Sequence, residues 1–259
     1  MTQQPLDRIP VLLFIALFVL LTLACYEIGY RVGKRRRDAG EADAEGPTGI
    51  IVGAVLGLVA FILAITMGIA GDRYDTRRGL VLEEANTINT LWLQSGYLPG
   101  DAPSEMRDLI AEYVPLRIVT SDQEALQANI ERSEELQREM WAIAEDVARN
   151  AGNDVNALFI DTLNQTINVH TSRIVAGLYA RVPPTILWLL VGAAGLSVGM
   201  VGFSAGLTGR RSPISAILLI VALGAVITLV VDLDRPGDGF INTSQQPLID
   251  LQERIESSP

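Results

Sequence analysis

Apolar residues collect in four blocks along the chain, and each block is close to the length that crosses a bilayer. The blocks cover residues 9–31, 49–71, 184–207 and 213–231. A hydrocarbon core is spanned by about 20 consecutive apolar residues in a helix. Within lipid, backbone polar groups can be satisfied only inside the segment, so each block must be helical. The pattern therefore predicts four transmembrane helices.

The second block has the pattern of a helix that continues past the edge of the membrane. Proline is absent from residues 48–98, and apolar residues keep helical spacing beyond the charged stretch GDRYDTRRG. Within that stretch, Asp75 and Arg78 are placed for an i,i+3 ion pair. We expect one helix from about Gly49 to Ser95, roughly 70 Å long at about 1.5 Å per residue.

Residues 72–183, between the second and third blocks, are mostly polar and carry helical patterns. One apolar helix face is formed by Leu136, Met140, Ile143 and Val147. Ser121 followed by Glu124 is a capping box, which predicts a helix start at that point. Because no convincing strand or hairpin signal appears, we expect this region to be helical.

These patterns predict an all-α integral membrane protein with a helical extramembrane domain between the second and third transmembrane helices. Residues 1–71 are expected to form one transmembrane hairpin, and residues 184–231 a second. The extramembrane domain, residues 72–183, is continuous with the second span. Residues 232–259 are expected to form a C-terminal segment that packs on this domain.

Glycines recur at helix-packing distance in the apolar blocks. Small residues four apart let two helix backbones approach closely in a membrane. Such pairs involve Gly49, Gly53 and Gly57 in the second block, and Gly195, Gly199, Gly202 and Gly206 in the third. This spacing favours a role in helix packing over a role in gating.

Composition narrows the functional classes. The chain of 259 residues has a formal net charge of −10 and contains one cysteine and one histidine. Nucleic-acid binding needs a basic surface, so we exclude that class. One cysteine and one histidine cannot build a His/Cys metal centre within one chain. A P-loop, a nucleophile elbow and a dinucleotide fingerprint are absent from the sequence, so we expect neither an enzyme nor a bound cofactor.

Several polar side chains leave two interpretations open. Glu27, near the end of the first span, is either part of an ion path or a water-facing acid at the interface. Glu83 and Glu84 lie deeper in the helical domain, and an ion-pair network between domains is one of two open outcomes for them, because charged side chains buried between subunits need partners. His170 is expected on a helix face, with a pH-sensing role as the alternative.

The basic residues do not decide the orientation in the membrane. Loops rich in Lys and Arg favour the cytoplasm. The two short loops contain KRRR and TGRRSP, while arginines near the termini and within residues 72–183 favour the opposite arrangement. The two groups nearly balance, so charge alone leaves both orientations open.

Three stretches of the chain resemble a known family of membrane proteins. DRYDTRRGLVLEEANTI resembles the second transmembrane helix of bestrophins where it enters the cytoplasm. RVPPTILW resembles the proline-containing entry to their third span, and DLDRPGDGFINTSQQPLIDL resembles the segment after their fourth. The chain is thus similar to the bestrophin-like family of bacterial membrane proteins.

The resemblance implies a homopentamer whose central pore is lined by the second helix. It also implies a bacterial inner membrane protein with its termini and helical domain in the cytoplasm. The family's narrow pore neck falls on Gly57, Phe61 and Ile65. Where the helix leaves lipid we expect an interfacial collar, formed by Asp72, Arg73, Asp75, Arg77 and Arg78.

Animal bestrophins bind calcium with a run of acidic residues after the fourth span. That run is absent here, which puts calcium gating in doubt. Asp232, Asp234 and Asp238 remain as a possible cation site, and a turn at residues 236–239 is the alternative. We assign no metal.

The favoured hypothesis is an oligomeric ion channel in the lipid bilayer that conducts inorganic ions passively through the neck. The alternative is a non-conducting membrane sensor or scaffold with a ligand-binding helical bundle, which requires the opposite orientation. The sequence leaves the permeant ion open between anions and cations.

Overall fold

Helices account for all the regular structure in the part of the chain that is described. The computed structural model describes residues 9–40, 48–120, 122–235 and 239–257, and no strand occurs among them. The helices are α1 (Val11–Asp38), α2 (Thr48–Ser95), α3 (Ala102–Leu116), α4 (Gln123–Asn150), α5 (Asp154–Ile174), α6 (Pro184–Thr208), α7 (Pro213–Asp234) and α8 (Gln246–Glu256). A π-helical turn, Val175–Tyr179, follows α5. The predicted all-α class is confirmed.

Four helical stretches are long and apolar enough to cross a membrane. Among the described residues these are Val11–Asp38, Gly49–Ser95, Asp154–Thr208 and Pro213–Asp234, and each overlaps one of the four apolar blocks that predicted a span. Pro184 and Pro213 begin α6 and α7. A proline is tolerated in the first turn because the N–H it lacks would have no partner within the helix.

The chain divides into two compact units. The first contains the residues up to Arg73 together with 181–235 and 239–241. The second contains residues 74–180 and 242–257 of the described chain. α2 contributes to both, since it is one unbroken helix of 48 residues from Thr48 to Ser95.

In the first unit, α1 packs along α6 through glycines. A Cβ built at Gly29 of α1 or at Gly202 of α6 would overlap the backbone of the facing helix. Gly206 lies equally close to Tyr30. The packing role predicted for the α6 glycines is confirmed, because only small residues allow this approach.

The glycines near the start of α2 behave differently. A Cβ built at Gly49, Gly53 or Gly57 would meet no heavy atom within 4 Å. Within the described chain these three glycines therefore face no other helix. The spacing of these glycines does not reveal whether a neighbouring helix is present. Their predicted role in helix packing stays a prediction, because it would need a helix from another copy of the chain.

The second unit is built around an apolar core to which α2, α3, α4, α5 and α8 contribute. Its fully buried members include Ile88, Ile110, Leu136, Leu163 and Leu248. Met140 and Val147 are also buried, and Ile143 packs against the core. The apolar face predicted for α4 is therefore confirmed.

α4 begins with a different cap from the one predicted. The Asp122 carboxylate accepts hydrogen bonds from the backbone N–H groups of Glu124, at 2.9 Å, and Ala125, at 3.4 Å. The predicted cap, Ser121, lies outside the described residues. Aspartate caps a helix about as well as serine, so Asp122 fully explains the start of α4.

The ion pair predicted between Asp75 and Arg78 is not formed. Both side chains are exposed, and neither has an ion-pair partner among the described residues. Their i,i+3 spacing permits a pair, but an exposed pair contributes too little to fix two mobile side chains.

Candidate functional site

One face of α2 is uncovered at the predicted pore neck. Phe61 and Ile65 leave 63% and 50% of their surface exposed. A Cβ built at Gly57 would meet nothing within 4 Å. Val59 and Leu63, on the other side of the helix, are buried. The three neck residues therefore point away from the rest of their own chain.

The uncovered face continues along α2 at a regular spacing. Gly57, Gly68 and Gly79 are eleven residues apart, and a Cβ built at each meets no heavy atom within 4 Å. Eleven residues complete three turns at about 3.67 residues per turn, so the glycines stay on one face. This repeat was not predicted, although its spacing is visible in the sequence. The open face of α2 is defined here as Gly57, Phe61, Gly68, Asp72, Asp75, Gly79 and Asn86, all of them exposed.

The five residues of the predicted collar lie in different environments. Asp72, Asp75 and Arg78 are exposed, whereas Arg73 is partly buried. Arg77 is only 7% exposed. The two acids thus lie on the open face, while Arg77 points into the chain. The spacing of these charges is visible in the sequence, but which side of the helix the neighbouring elements cover is not.

A buried ion-pair network lies in the second unit. Glu84 is completely buried, and its Oε1 accepts a hydrogen bond from Arg117 Nε at 2.8 Å. Arg173 Nη1 donates to Glu84 Oε2. Ser133 Oγ accepts from Arg117 Nη1 at 3.4 Å, and Gln245 Oε1 accepts from Arg173 Nη2 at 3.2 Å. The network thus joins α2, α4, α5, the residue after α3 and the segment before α8.

The network holds two guanidinium groups and one carboxylate, so it carries a net positive charge. Burying charges is costly unless they are paired and hydrogen-bonded. Burial lowers the pKa of Arg173 to about 10, so this side chain stays protonated at neutral pH. The described ion pairs of Glu84 all lie within the second unit, so a network between domains stays a prediction. Arg117 and Arg173 were missed because they are 33 and 89 residues away.

Three buried polar side chains lie beside this network. His170 Nδ1 and the Tyr113 hydroxyl are 3.3 Å apart, and Gln137 Nε2 donates to that hydroxyl at 2.9 Å. Burial, reinforced by the Arg117 charge, lowers the pKa of His170 to about 3. Burial also raises the pKa of Tyr113. At neutral pH both side chains are therefore uncharged.

Asp232 and Asp234, from the possible cation site, are almost fully buried in the first unit. Asp232 accepts backbone hydrogen bonds from Phe240, at 2.8 Å, and Ile241, at 2.9 Å. Asp234 accepts one from Val182 N at 2.7 Å and one from Arg181 Nε at 3.0 Å. Both carboxylates thus hold neighbouring chain segments in place. The third predicted ligand, Asp238, lies outside the described residues.

Glu27 is partly exposed and pairs with two arginines of the first unit. Arg31 Nε donates to its Oε1 at 2.9 Å, and Arg211 donates to its Oε2. Arg211 also lies over the Tyr30 ring, 4.5 Å from its centroid. The pairing ties α1 to the segment between α6 and α7, and it was not predicted from the sequence.

A groove of about 330 Å³ runs between α2 and α5 in the second unit. It is lined by Gly79, Leu82, Glu83, Asn86, Thr87, Thr90, Thr162 and Gln165. The threonine hydroxyls already donate to carbonyls of their own helices. The Glu83 carboxylate is exposed and has no partner among the described residues.

Comparison with known proteins gives one match. The family model described as Bestrophin-like domain matches residues 16–248. This confirms the resemblance noted at three stretches of the sequence. With the four apolar helices, it identifies a multi-pass membrane protein. A search of curated proteins and a search of solved structures found no match.

Proposed function

The chain belongs to the bestrophin-like family, and on that premise we propose that it is a subunit of an oligomeric ion channel whose pore is lined by α2. The observation that carries this proposal is the open face of α2. Lipid could cover the apolar part of this face, but the face continues into the charged part of the helix, and lining an axis shared with other copies would account for both parts. In this proposal the copies form a homopentamer, the number that the family resemblance implies.

The narrowest part of the proposed pore is the neck formed by Gly57, Phe61 and Ile65. Rings of apolar side chains gate ion flow by excluding water from a constriction. Phe61 and Ile65 supply such rings, and Gly57 leaves the adjoining turn wider. Ions would cross this neck passively, driven by their concentration gradient and the membrane potential.

We further propose that residues 72–183 form an extramembrane helical domain in the cytoplasm, together with both termini. The second unit has many charged side chains and a polar surface. Unpaired charges are costly inside lipid, so these features support placing the unit outside the membrane. The proposed membrane is the bacterial inner membrane, as the family resemblance implies. A reporter fused after Pro259 tests this orientation, because cytoplasmic and periplasmic reporters give opposite signals.

Stoichiometry is the first test. The full chain in mild detergent is expected to show five copies by native mass spectrometry. A monomer or a dimer would contradict the channel, and a dimer with a periplasmic C-terminus would favour the sensor or scaffold instead.

Ion flux into vesicles is the second test. Phe61→Ala and Ile65→Ala are expected to raise the flux of potassium or chloride several-fold, because each widens the constriction. Leu218→Ala is the matched control, since Leu218 is 65% exposed in α7 but lies outside the proposed neck. Equal flux in all four proteins would contradict the neck.

A further inference from the structure

Two oppositely charged residues of the second unit lie exposed on α2. Neither Arg78 nor Glu83 makes an ion pair or a side-chain hydrogen bond among the described residues. They are five residues apart, which places them roughly 140° apart around a helix of 3.6 residues per turn. They therefore occupy opposite flanks of the exposed surface, with Asn86 of the open face between them.

A groove lies on the Glu83 flank, and Arg78 is not among its lining residues. The Glu83 flank forms one wall of the groove between α2 and α5, and Thr162 and Gln165 form the other wall. Leu82, one turn from Arg78 and at the edge of the groove, leaves 52% of its surface exposed.

From these opposite charges we infer that the Arg78 flank of one copy packs against the Glu83 flank of a second copy of this chain. Arg78 then pairs with Glu83 of the neighbouring copy. The inference rests on the proposed function, because it requires several copies with α2 near a shared axis. It adds the surface and the charge pair through which each copy recognises the next.

The arrangement of the two flanks predicts the type of assembly. Copies inserted in the membrane with one orientation carry their α2 helices parallel, so the Arg78 flank of each faces the Glu83 flank of the next. Such an interface uses two different surfaces of each copy. Interfaces of this kind close into rings when the rotation between copies allows it.

Charge reversal tests the pair directly. Arg78→Glu and Glu83→Arg each bring like charges together, and native mass spectrometry of the full chain in detergent follows assembly upon dilution. Each single variant is expected to need about tenfold more protein than the parent to assemble. The double variant R78E/E83R restores opposite charges and is expected to assemble like the parent.

A matched control separates this pair from a general effect of charge. Glu134 is exposed on α4, and its carboxylate has no partner among the described residues. Glu134→Arg is expected to assemble like the parent. Single variants that assemble normally, or a double variant as impaired as the singles, would overturn the pairing.

Mixing the two single variants provides a second readout. The acid introduced by R78E in one subunit would meet the base introduced by E83R in the next, while contacts between identical subunits stay repulsive. In a ring of five at most four contacts can alternate in this way, so the mixture is expected to assemble at lower protein concentration than either variant alone but not as readily as the parent. If the mixture needs a protein concentration for assembly that is the average of those of the two variants, the inference is overturned, even if one variant folds poorly.

These outcomes separate the inference from the proposed channel. If the parent forms a conducting ring while the variants assemble normally, the channel stands and the interface is wrong. If the parent is a monomer or a dimer, the channel proposal fails, and the ring interface fails with it.

Discussion

Arg117 donates to Glu84 across 2.8 Å, in the interior of the second unit. Arg173 bonds the other oxygen of the same carboxylate. The single negative charge of Glu84 is thus shared between two guanidinium groups that come from different segments of the chain. Removing that acid would leave two guanidinium groups buried without a counter-charge.

Glu84→Gln is therefore expected to destabilise the protein. Breaking a buried ion pair by removing one partner costs about 3–5 kcal/mol, mainly because the remaining charge is left unpaired. The measurement is thermal or denaturant unfolding of the full chain in detergent. The control is Glu134→Gln, which changes an exposed acid of α4. If the two variants have the same free energy of unfolding, the buried network does not stabilise the protein.

Acidification is expected to weaken the second unit through His170. Its pKa is about 3 in the folded protein and about 6.5 when unfolded, so below pH 6.5 the unfolded chain binds more protons. Stability is thus fully present above pH 6.5 and declines as the pH falls towards 3, by up to about 1.4 kcal/mol per pH unit.

The test compares unfolding of the parent and of His170→Gln at a series of pH values. The variant cannot bind this proton in either state, so its stability should depend less steeply on pH between about 6.5 and about 4. Parallel curves for the two proteins would show that His170 contributes nothing to the acid sensitivity.

Gly202→Ala is expected to disturb the packing of α1 on α6. The added Cβ overlaps the Tyr26 carbonyl, so the helices must separate, at a cost of about 1–3 kcal/mol. Gly192→Ala is the matched control in α6, since a Cβ there meets nothing within 4 Å. Unfolding measurements should show a loss for the first variant and no loss for the second.

Gly57→Leu is expected to lower ion flux, because a large apolar side chain would narrow the widest part of the proposed neck. Flux into vesicles gives the measurement, and Gly192→Leu adds the same side chain at an open position outside the neck. A drop of similar size in both variants would point to a general effect on the membrane helices.

The sequence predicted those features that depend on spacing along one helix. The four spans, the unbroken α2 and the buried face of α4 follow from apolar periodicity and from the absence of proline. Each is a local property, because the residues that decide it lie within a few turns of one another. The neck residues Phe61 and Ile65 share an exposed face for the same reason.

Features that depend on contacts between distant segments could not be predicted. The sequence marked Glu84 as needing a partner, but nothing in it identifies Arg173, which is 89 residues away. Asp232 and Asp234 suggested a cation site by their spacing, whereas their described contacts are with N–H groups of the protein. In both cases the fold decides which donor reaches the carboxylate.

The position of α8 in the chain has a consequence for biosynthesis. Leu248, Leu251 and Ile255 belong to the core of the second unit, yet α8 follows α6 and α7 in the sequence. The ribosome therefore makes both later spans before it makes the residues that complete this core. Until then the nascent unit exposes apolar surface, and it acquires its final fold only late in translation.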